Sequence, residues 1–219
     1  LEGFANVSGD VIHQMLDMNS GAKHDLNCTE DELRIVLDRT GNKLNESDKS
    51  VILNQFKKHD KALFGNDFLL FYLQQLLMIY RSQEKYDSAI NKYCDVCNKY
   101  LSDKKFVYDA SNVTLAIYRC IDGKPIISSD NKVQLNQLSS GEKQIVSIFS
   151  QIYLEQNKKY VVLFDEPELS LSIYWQENLL PDIIASGNCM FLMAVTHSPF
   201  IFGDKLKQYT IGMHEFIKR

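Results

Sequence analysis

Two carboxylates and one imidazole stand just after runs of apolar residues. Asp165 and Glu166 follow the apolar run at 160–164, and His197 follows the run at 190–195. Where an apolar strand ends, an aspartate can hold Mg²⁺, and a neighbouring glutamate can orient and deprotonate an attacking water. A histidine at a second strand end can contact a γ-phosphate or the same water. These residue types predict phosphoryl-transfer chemistry; solvated strand-end acids and a structural histidine are the alternative.

A small loop with the sequence Leu-Ser-Ser-Gly-Glu occupies residues 138–142, directly before a predicted helix. Backbone N–H groups and serine hydroxyls at a helix N-terminus can meet a phosphate, helped by the helix dipole. An ordinary serine N-cap followed by a glycine would give the same pattern. The loop alone therefore does not decide between phosphate contact and simple capping.

The elements that position these residues change type near residue 104. Before it, helix signals dominate, and the sequence predicts three helices. The first begins at a capping box at 29–32, the second is capped by Ser47 or Asp48, and the third is capped by Asn66 or Asp67 and runs towards Leu101.

After residue 104 the pattern mixes strands with helices. Strands are predicted at 105–108, 113–118 and 125–127 with a turn at Asp122-Gly123, then a helix at 141–155, a strand at 160–164, a helix at 173–185 and a strand at 190–195. The last two strands are unbroken apolar runs, so we expect each to be buried on both faces of a parallel sheet. The order of elements predicts an α/β fold.

In this order and spacing, residues 132–212 resemble the C-terminal half of an ABC-type ATPase head, which has a P-loop NTPase-like α/β fold. Residues 138–142 resemble the signature motif, residues 163–166 resemble Walker B with its catalytic glutamate, and His197 resembles the switch histidine. The Asp-Glu-Pro-Glu form at 165–168 is similar to the RecF/SMC/OLD branch. The run that continues from it is similar to stand-alone bacterial ATPases of antiphage systems, such as the Septu, PARIS and retron-associated ATPases.

This resemblance implies a dimer in which two heads sandwich ATP and Mg²⁺. Asp165 would hold Mg²⁺, Glu166 would polarise the attacking water, and His197 would sense the γ-phosphate. The signature residues of one head would contact the nucleotide of the other; they are Ser139, Ser140, Gly141 and Glu142. The dimer-contact loop would contain Ser170 and Ser172.

The P-loop motif G-x-x-x-x-G-K-[ST] does not occur in the 219 residues. Without it, no backbone cradle for the α- and β-phosphates is expected. Leu1 in place of Met predicts that the chain begins inside a longer protein that supplies the P-loop lobe. The family order then predicts a helical insertion or arm at 1–104 and the C-terminal lobe, with a mostly parallel sheet, at 105–219.

The composition of the chain indicates which classes of partner and which cellular compartment to expect. A net charge of −4 excludes a chain-wide basic surface for nucleic acid, although a local patch stays open. No apolar run approaches the ~20 residues that span a bilayer, so no membrane partner is expected. Five scattered cysteines favour a reducing, cytoplasmic setting. Cys94 and Cys97 have metal-ligand spacing, but a structural zinc site needs four ligands, so packing within a helix is the favoured interpretation.

The expected partners follow from the resemblance. We expect a head-to-head dimer or higher oligomer of the chain itself, controlling a nuclease or toxin effector in bacterial antiphage defence. Two alternatives remain: a nonhydrolysing scaffold that binds such an effector, and a DNA-repair ATPase that clamps duplex DNA.

Overall fold

The computed structural model describes residues 26–58, 67–155 and 157–215. The helices are α1 Glu30–Arg39, α2 Glu46–Lys57, α3 Asp67–Asn98, α4 Ser140–Phe149, α5 Ile173–Ala185 and α6 Gly203–Leu206. The strands are β1 Lys104–Asp109, β2 Thr114–Ile121, β3 Lys124–Pro125, β4 Lys132–Val133, β5 Tyr160–Asp165 and β6 Cys189–Val195. This combination of helices and sheets confirms the predicted α/β class.

Local capping chemistry explains where the first helices begin. Thr29 caps α1 and forms the predicted capping box with Glu32. The cap of α2 is Asn45, whose side chain accepts from the Asp48 amide at 2.7 Å, so the prediction of Ser47 or Asp48 is wrong. Several residues here can cap a helix, and only the extended backbone at Asn45 decides between them. The predicted cap Asn66 lies outside the described residues.

Contacts divide the chain into two compact units. The first contains the described residues up to Ser88 together with Tyr108–Leu115, and the second contains Ala89–Val107 and the described residues from Ala116 onwards. The assignment of 1–104 to a helical insertion and of 105–219 to an ATPase lobe stays a prediction. None of the helices in the described ranges is both long and apolar enough to cross a bilayer.

The first unit is held together by an apolar core and a buried arginine. The core joins α1, α2 and the first turns of α3 through Leu26, Leu33, Val36, Leu37, Ile52, Leu70, Leu73, Leu76 and Leu77. Arg39 donates to the Asp87 carboxylate at 2.7 Å, to the Gln83 side chain at 3.1 Å and to the Ala110 carbonyl at 2.8 Å. These bonds offset the cost of burying its charge.

The second unit packs aromatic rings around Tyr100. Its ring centroid lies 5.4 Å from that of Phe149 in α4 and 5.9 Å from that of Trp175 in α5. The Tyr100 hydroxyl donates to the buried Asp182 carboxylate at 2.8 Å, and Lys99 pairs with the same carboxylate at 2.6 Å. Helices α4 and α5 are thus packed against the same core.

Cys94 and Cys97 lie in this second unit, on the last turns of α3. Both side chains are buried, and burial raises the pKa of each thiol to about 12. Within the described residues, no group of three or more His, Cys, Asp and Glu side chains is arranged to hold a metal ion. Both cysteine side chains thus contribute to the packing of this unit.

Two sheets form in the described chain. β2 pairs antiparallel with β3 and β4 in one sheet, which is separate from the sheet of β5 and β6. Among the described residues, the parallel pairing predicted for 105–219 is therefore found between β5 and β6. Asp122 and Gly123 both have positive φ, as a two-residue hairpin turn requires, so the predicted turn is confirmed. β5 and β6 form a two-stranded parallel sheet, as predicted, with Asp165 opposite Val195 at its end.

One face of the β5–β6 sheet is bare. On this face Val161 and Leu163 of β5 are 57% and 62% exposed, and their partners Phe191 and Met193 in β6 are 53% and 50% exposed. The prediction that both strands are buried on both faces is wrong for the part of the chain that the structure describes, because none of those residues covers that face. Parallel sheets are normally covered on both faces.

Candidate functional site

The parallel pairing of β5 with β6 brings the strand-end residues to one edge. Asp165 lies opposite Val195, and the Glu166 amide donates to the Val195 carbonyl at 2.8 Å. The loop that follows β6 therefore starts beside the Asp165-Glu166 pair. The carboxyl end of parallel strands is where open α/β sheets place their ligands.

Glu166 and His197 face each other across this edge. Oε1 of Glu166 lies 3.6 Å from Nε2 of His197, which is longer than a hydrogen bond but within the range of an ion pair. The imidazole is 87% exposed, so both groups are open to a reacting partner. Glu166 has a φ of +48°, in the left-handed region. Such strain at a non-glycine residue is typical of functional positions and directs the carboxylate here.

Asp165 fits a magnesium site shared with a nucleotide. It occupies the exposed last position of β5, and among the described residues no hydrogen bond or ion pair engages its carboxylate. Mg²⁺ at nucleotide sites is usually held by one or two carboxylates with phosphate oxygens and water. One free carboxylate meets that requirement, whereas a metal cage built from protein alone would need more ligands than the described residues bring together.

Glu168 ties the turn after β5 to the turn after β6. Its carboxylate accepts from the Thr196 hydroxyl at 2.6 Å, the His197 amide at 2.8 Å and the Ser198 amide at 3.2 Å. Partial burial would raise the pKa of Glu168, but these hydrogen bonds outweigh it and hold the pKa below its usual range. The carboxylate is therefore ionised at neutral pH, which strengthens all three bonds.

The loop that resembles a signature motif is built as a capped helix start. The Ser139 side chain accepts from the Glu142 amide at 3.2 Å, and the Glu142 carboxylate accepts from the Ser139 amide at 2.7 Å. Lys104 donates to the other Glu142 oxygen at 3.0 Å. Glu142 is buried, whereas Ser139 and Ser140 are exposed. The two serine side chains are therefore accessible from solvent, while Glu142 shapes the loop.

The signature loop packs against the turn after β5. A Cβ at Gly141 would collide with the Ser170 carbonyl oxygen and come within 3.0 Å of the Trp175 ring. Ser170 is exposed with a φ of +65°, and Ser172 caps α5 by accepting from the Trp175 amide. Gly141 and Ser170 therefore lie side by side, and Ser172 begins the helix that follows.

The structure brings most of the predicted residues together in one unit. Asp165, Glu166 and His197 share the sheet edge, and Gly141 meets Ser170 beside it; the roles assigned to them stay predictions. Sequence reasoning missed Glu168, although the last acid of the Asp-Glu-Pro-Glu run was a signal for it. The pairing of Lys104 with Glu142 gave no local signal, because the two residues are far apart in sequence.

Comparison with known proteins agrees with this geometry at the level of the family. A search of curated proteins finds no match. The model of the AAA ATPase domain matches residues 2–202, which is most of the chain. A domain of this type binds nucleotide and, as an ATPase, hydrolyses ATP, usually with Mg²⁺. Because this model covers well over half of the sequence, the chain belongs to the AAA ATPase domain family.

Proposed function

We propose that the chain carries the signature and Walker B half of an ATP-hydrolysing head of the RecF/SMC/OLD type. The observation that supports it most is the placement of Glu166 and His197, 3.6 Å apart, beside the free carboxylate of Asp165. The three side chains sit at one sheet edge and are open to a substrate.

In this proposal each residue has one task. Glu166 orients the attacking water and accepts its proton. The water oxygen then bonds to the γ-phosphorus, while the bond between the γ-phosphorus and the bridging oxygen breaks and leaves ADP. His197 faces the γ-phosphate and the same water. Asp165 would hold Mg²⁺, which when bound offsets the charge of the phosphate oxygens. The products are ADP and phosphate.

The P-loop comes from a segment outside these 219 residues. The sequence lacks the motif, yet the three strand-end side chains are in place. The bare apolar face of the β5–β6 sheet supports this assignment, because a parallel sheet needs a covering layer on each face. A P-loop lobe seated there would bring its phosphate cradle to the same sheet.

Two copies work head to head in this proposal. Ser139, Ser140 and Gly141 of one head act on the nucleotide of the other, with Glu142 fixing their loop. Exposed apolar side chains surround the proposed dimer-contact loop with Ser170 and Ser172. Leu169, Ile173 and Tyr174 are all more than half exposed. Exposed apolar groups around a loop are typical of a protein interface.

Closure of the heads on ATP and their opening after hydrolysis would control a bound effector, which we propose to be a nuclease or toxin of bacterial antiphage defence. This setting rests on the resemblance of residues 166–176 to antiphage ATPases. A nonhydrolysing scaffold is the second candidate, and the absent P-loop motif favours it. A DNA-repair clamp is less favoured because the chain is acidic.

The dimer can be tested by mass in solution. The test uses the longer protein that includes the proposed P-loop segment, called here the P-loop-bearing protein. Its Glu166→Gln variant should bind ATP without cleaving it. Light scattering should show that the mass of this variant doubles with ATP and Mg²⁺ but not with ADP. Ser172→Arg should prevent the doubling. An unchanged mass with ATP that is demonstrably bound would contradict the dimer, and absence of ATP binding would favour the scaffold.

A further inference from the structure

Beyond the strand-end side chains, one carboxylate binds three groups of the loop that carries His197. Glu168 reaches the Thr196 hydroxyl and the amides of His197 and Ser198, all within 3.2 Å. The paired strands end at Asp165 and Val195, so the sheet's own ladder does not extend to His197. Past that point, Glu168 accepts from the His197 amide and shares the Ser198 amide with the Thr196 hydroxyl.

We propose that Glu168 is a positioning residue for ATP hydrolysis, which holds the turn after β6 so that the His197 imidazole faces the Glu166 carboxylate. This inference rests on the proposed function. Glu168 itself touches neither the water nor the phosphate; it acts through the backbone of His197. Its two oxygens divide the work, because Oε2 binds the hydroxyl and Oε1 binds both amides.

A second tether limits what else the loop can do. The Ser198 hydroxyl donates to the Gln176 side chain at 2.6 Å, and the Gln176 amide group donates to the Leu171 carbonyl at 2.9 Å. This tether fixes the far side of the turn to α5 but leaves the His197 amide to Glu168. Loss of Glu168 therefore frees the histidine without releasing the whole loop. Misplacement by about 1 Å at such a group can cost about a hundredfold in rate.

The first readout is local order, which needs no nucleotide. Glu168→Ala should accelerate hydrogen exchange of the His197 amide by at least about tenfold, because this amide loses its acceptor. The Ser198 amide also donates to the Thr196 hydroxyl at 3.0 Å, so its exchange should change less. Glu177, an exposed glutamate on α5, provides the matched control: Glu177→Ala should leave both amides unchanged. Unchanged exchange in Glu168→Ala would overturn the proposal.

The second readout is turnover of the P-loop-bearing protein. Glu168→Ala should lower kcat by about 10–100-fold while KM for ATP changes less than about threefold, because substrate contacts are untouched. Glu168→Gln keeps an acceptor for the two amides and should regain most of the rate. Thr196→Val removes the hydroxyl, which donates to Glu168 and accepts from the Ser198 amide, but keeps the bond from the His197 amide to Glu168. Its loss of rate should therefore be smaller than that of Glu168→Ala. These two milder variants keep the test decisive even where Glu168→Ala folds poorly.

A double-mutant cycle with His197→Ala separates positioning from general stability. If Glu168 acts through His197, adding Glu168→Ala to His197→Ala should lower kcat by less than about a further threefold. An equal loss in both backgrounds would overturn this inference alone and leave the proposed function intact. Wild-type turnover in His197→Ala would instead remove the histidine from the proposed function, and the inference would fall with it.

Discussion

The His197 imidazole lies 3.6 Å from the Glu166 carboxylate, although helix α5 and strand β6 lie between the two residues in the chain. The separation is set by the backbone, since the Glu166 amide donates to Val195 at the end of β6. The left-handed φ of Glu166 then turns its side chain towards the neighbouring loop. Strand pairing thus brings a carboxylate and an imidazole side by side at the end of the sheet.

Asp165→Asn should weaken nucleotide binding only when magnesium is present. The substitution keeps the size of the side chain but removes the charge that the exposed carboxylate offers to Mg²⁺. We expect the affinity of the P-loop-bearing protein for ATP to fall by about tenfold or more with Mg²⁺, as metal ligands are lost. Calorimetric titration with Mg²⁺ and with EDTA checks this. Equal weakening in both buffers would show that Asp165 does not act through the metal.

Gly141→Ala should destabilise the second unit. The new methyl group would meet the Ser170 carbonyl oxygen, which belongs to backbone and cannot rotate away. Overpacking of this kind typically costs about 1–3 kcal/mol. Urea unfolding measures it, and Ser147→Ala, an exposed position on the same helix, serves as the control with a change near zero. Equal stability of the two variants would contradict the close approach of these loops.

The buried thiol of Cys97 should make the protein less stable in alkali. Burial raises the pKa of Cys97 to about 12, although a hydrogen bond with Tyr93 lowers it in part. The unfolded thiol ionises near pH 8.5, so the stabilisation is complete below that pH and is lost as pH rises towards 12. By pH 10 the loss from this one group is about 2 kcal/mol.

The measurement compares urea unfolding of the wild type and Cys97→Ala at pH 7.5 and pH 10. Each protein is its own reference at pH 7.5, so the cost of the smaller side chain cancels. The wild type should lose more stability than the variant between the two pH values. Equal losses would show that Cys97 does not remain protonated in the folded state.

Local patterns in the sequence predicted those parts of the structure that local chemistry decides. The capping box at Thr29, the turn at Asp122-Gly123 and the parallel pairing of the last two strands are all confirmed. The choice of Asn45 as a helix cap escaped prediction, because neighbouring side chains were equally suitable and only backbone conformation separates them.

Long-range contacts were beyond such reasoning. The three bonds of Glu168 and the pairing of Lys104 with Glu142 join segments that are distant in sequence. The bare face of β5 and β6 was missed for a related reason: an unbroken apolar run shows that a face needs cover but not whether this chain provides it. The positions of Asp165, Glu166 and His197 were predictable because a strand end places them.

If Glu166 is the general base for ATP hydrolysis, as we propose, loss of its carboxylate should slow the cleavage of bound ATP. Single-turnover kinetics measure this step. In the P-loop-bearing protein, Glu166→Gln should bind ATP with affinity within about threefold of wild type, because the amide is isosteric. Its rate of phosphate release should fall by about 10²–10⁴-fold, the usual contribution of a positioned base. Glu177→Gln is the matched control and should retain full turnover. Wild-type turnover in Glu166→Gln would contradict the account.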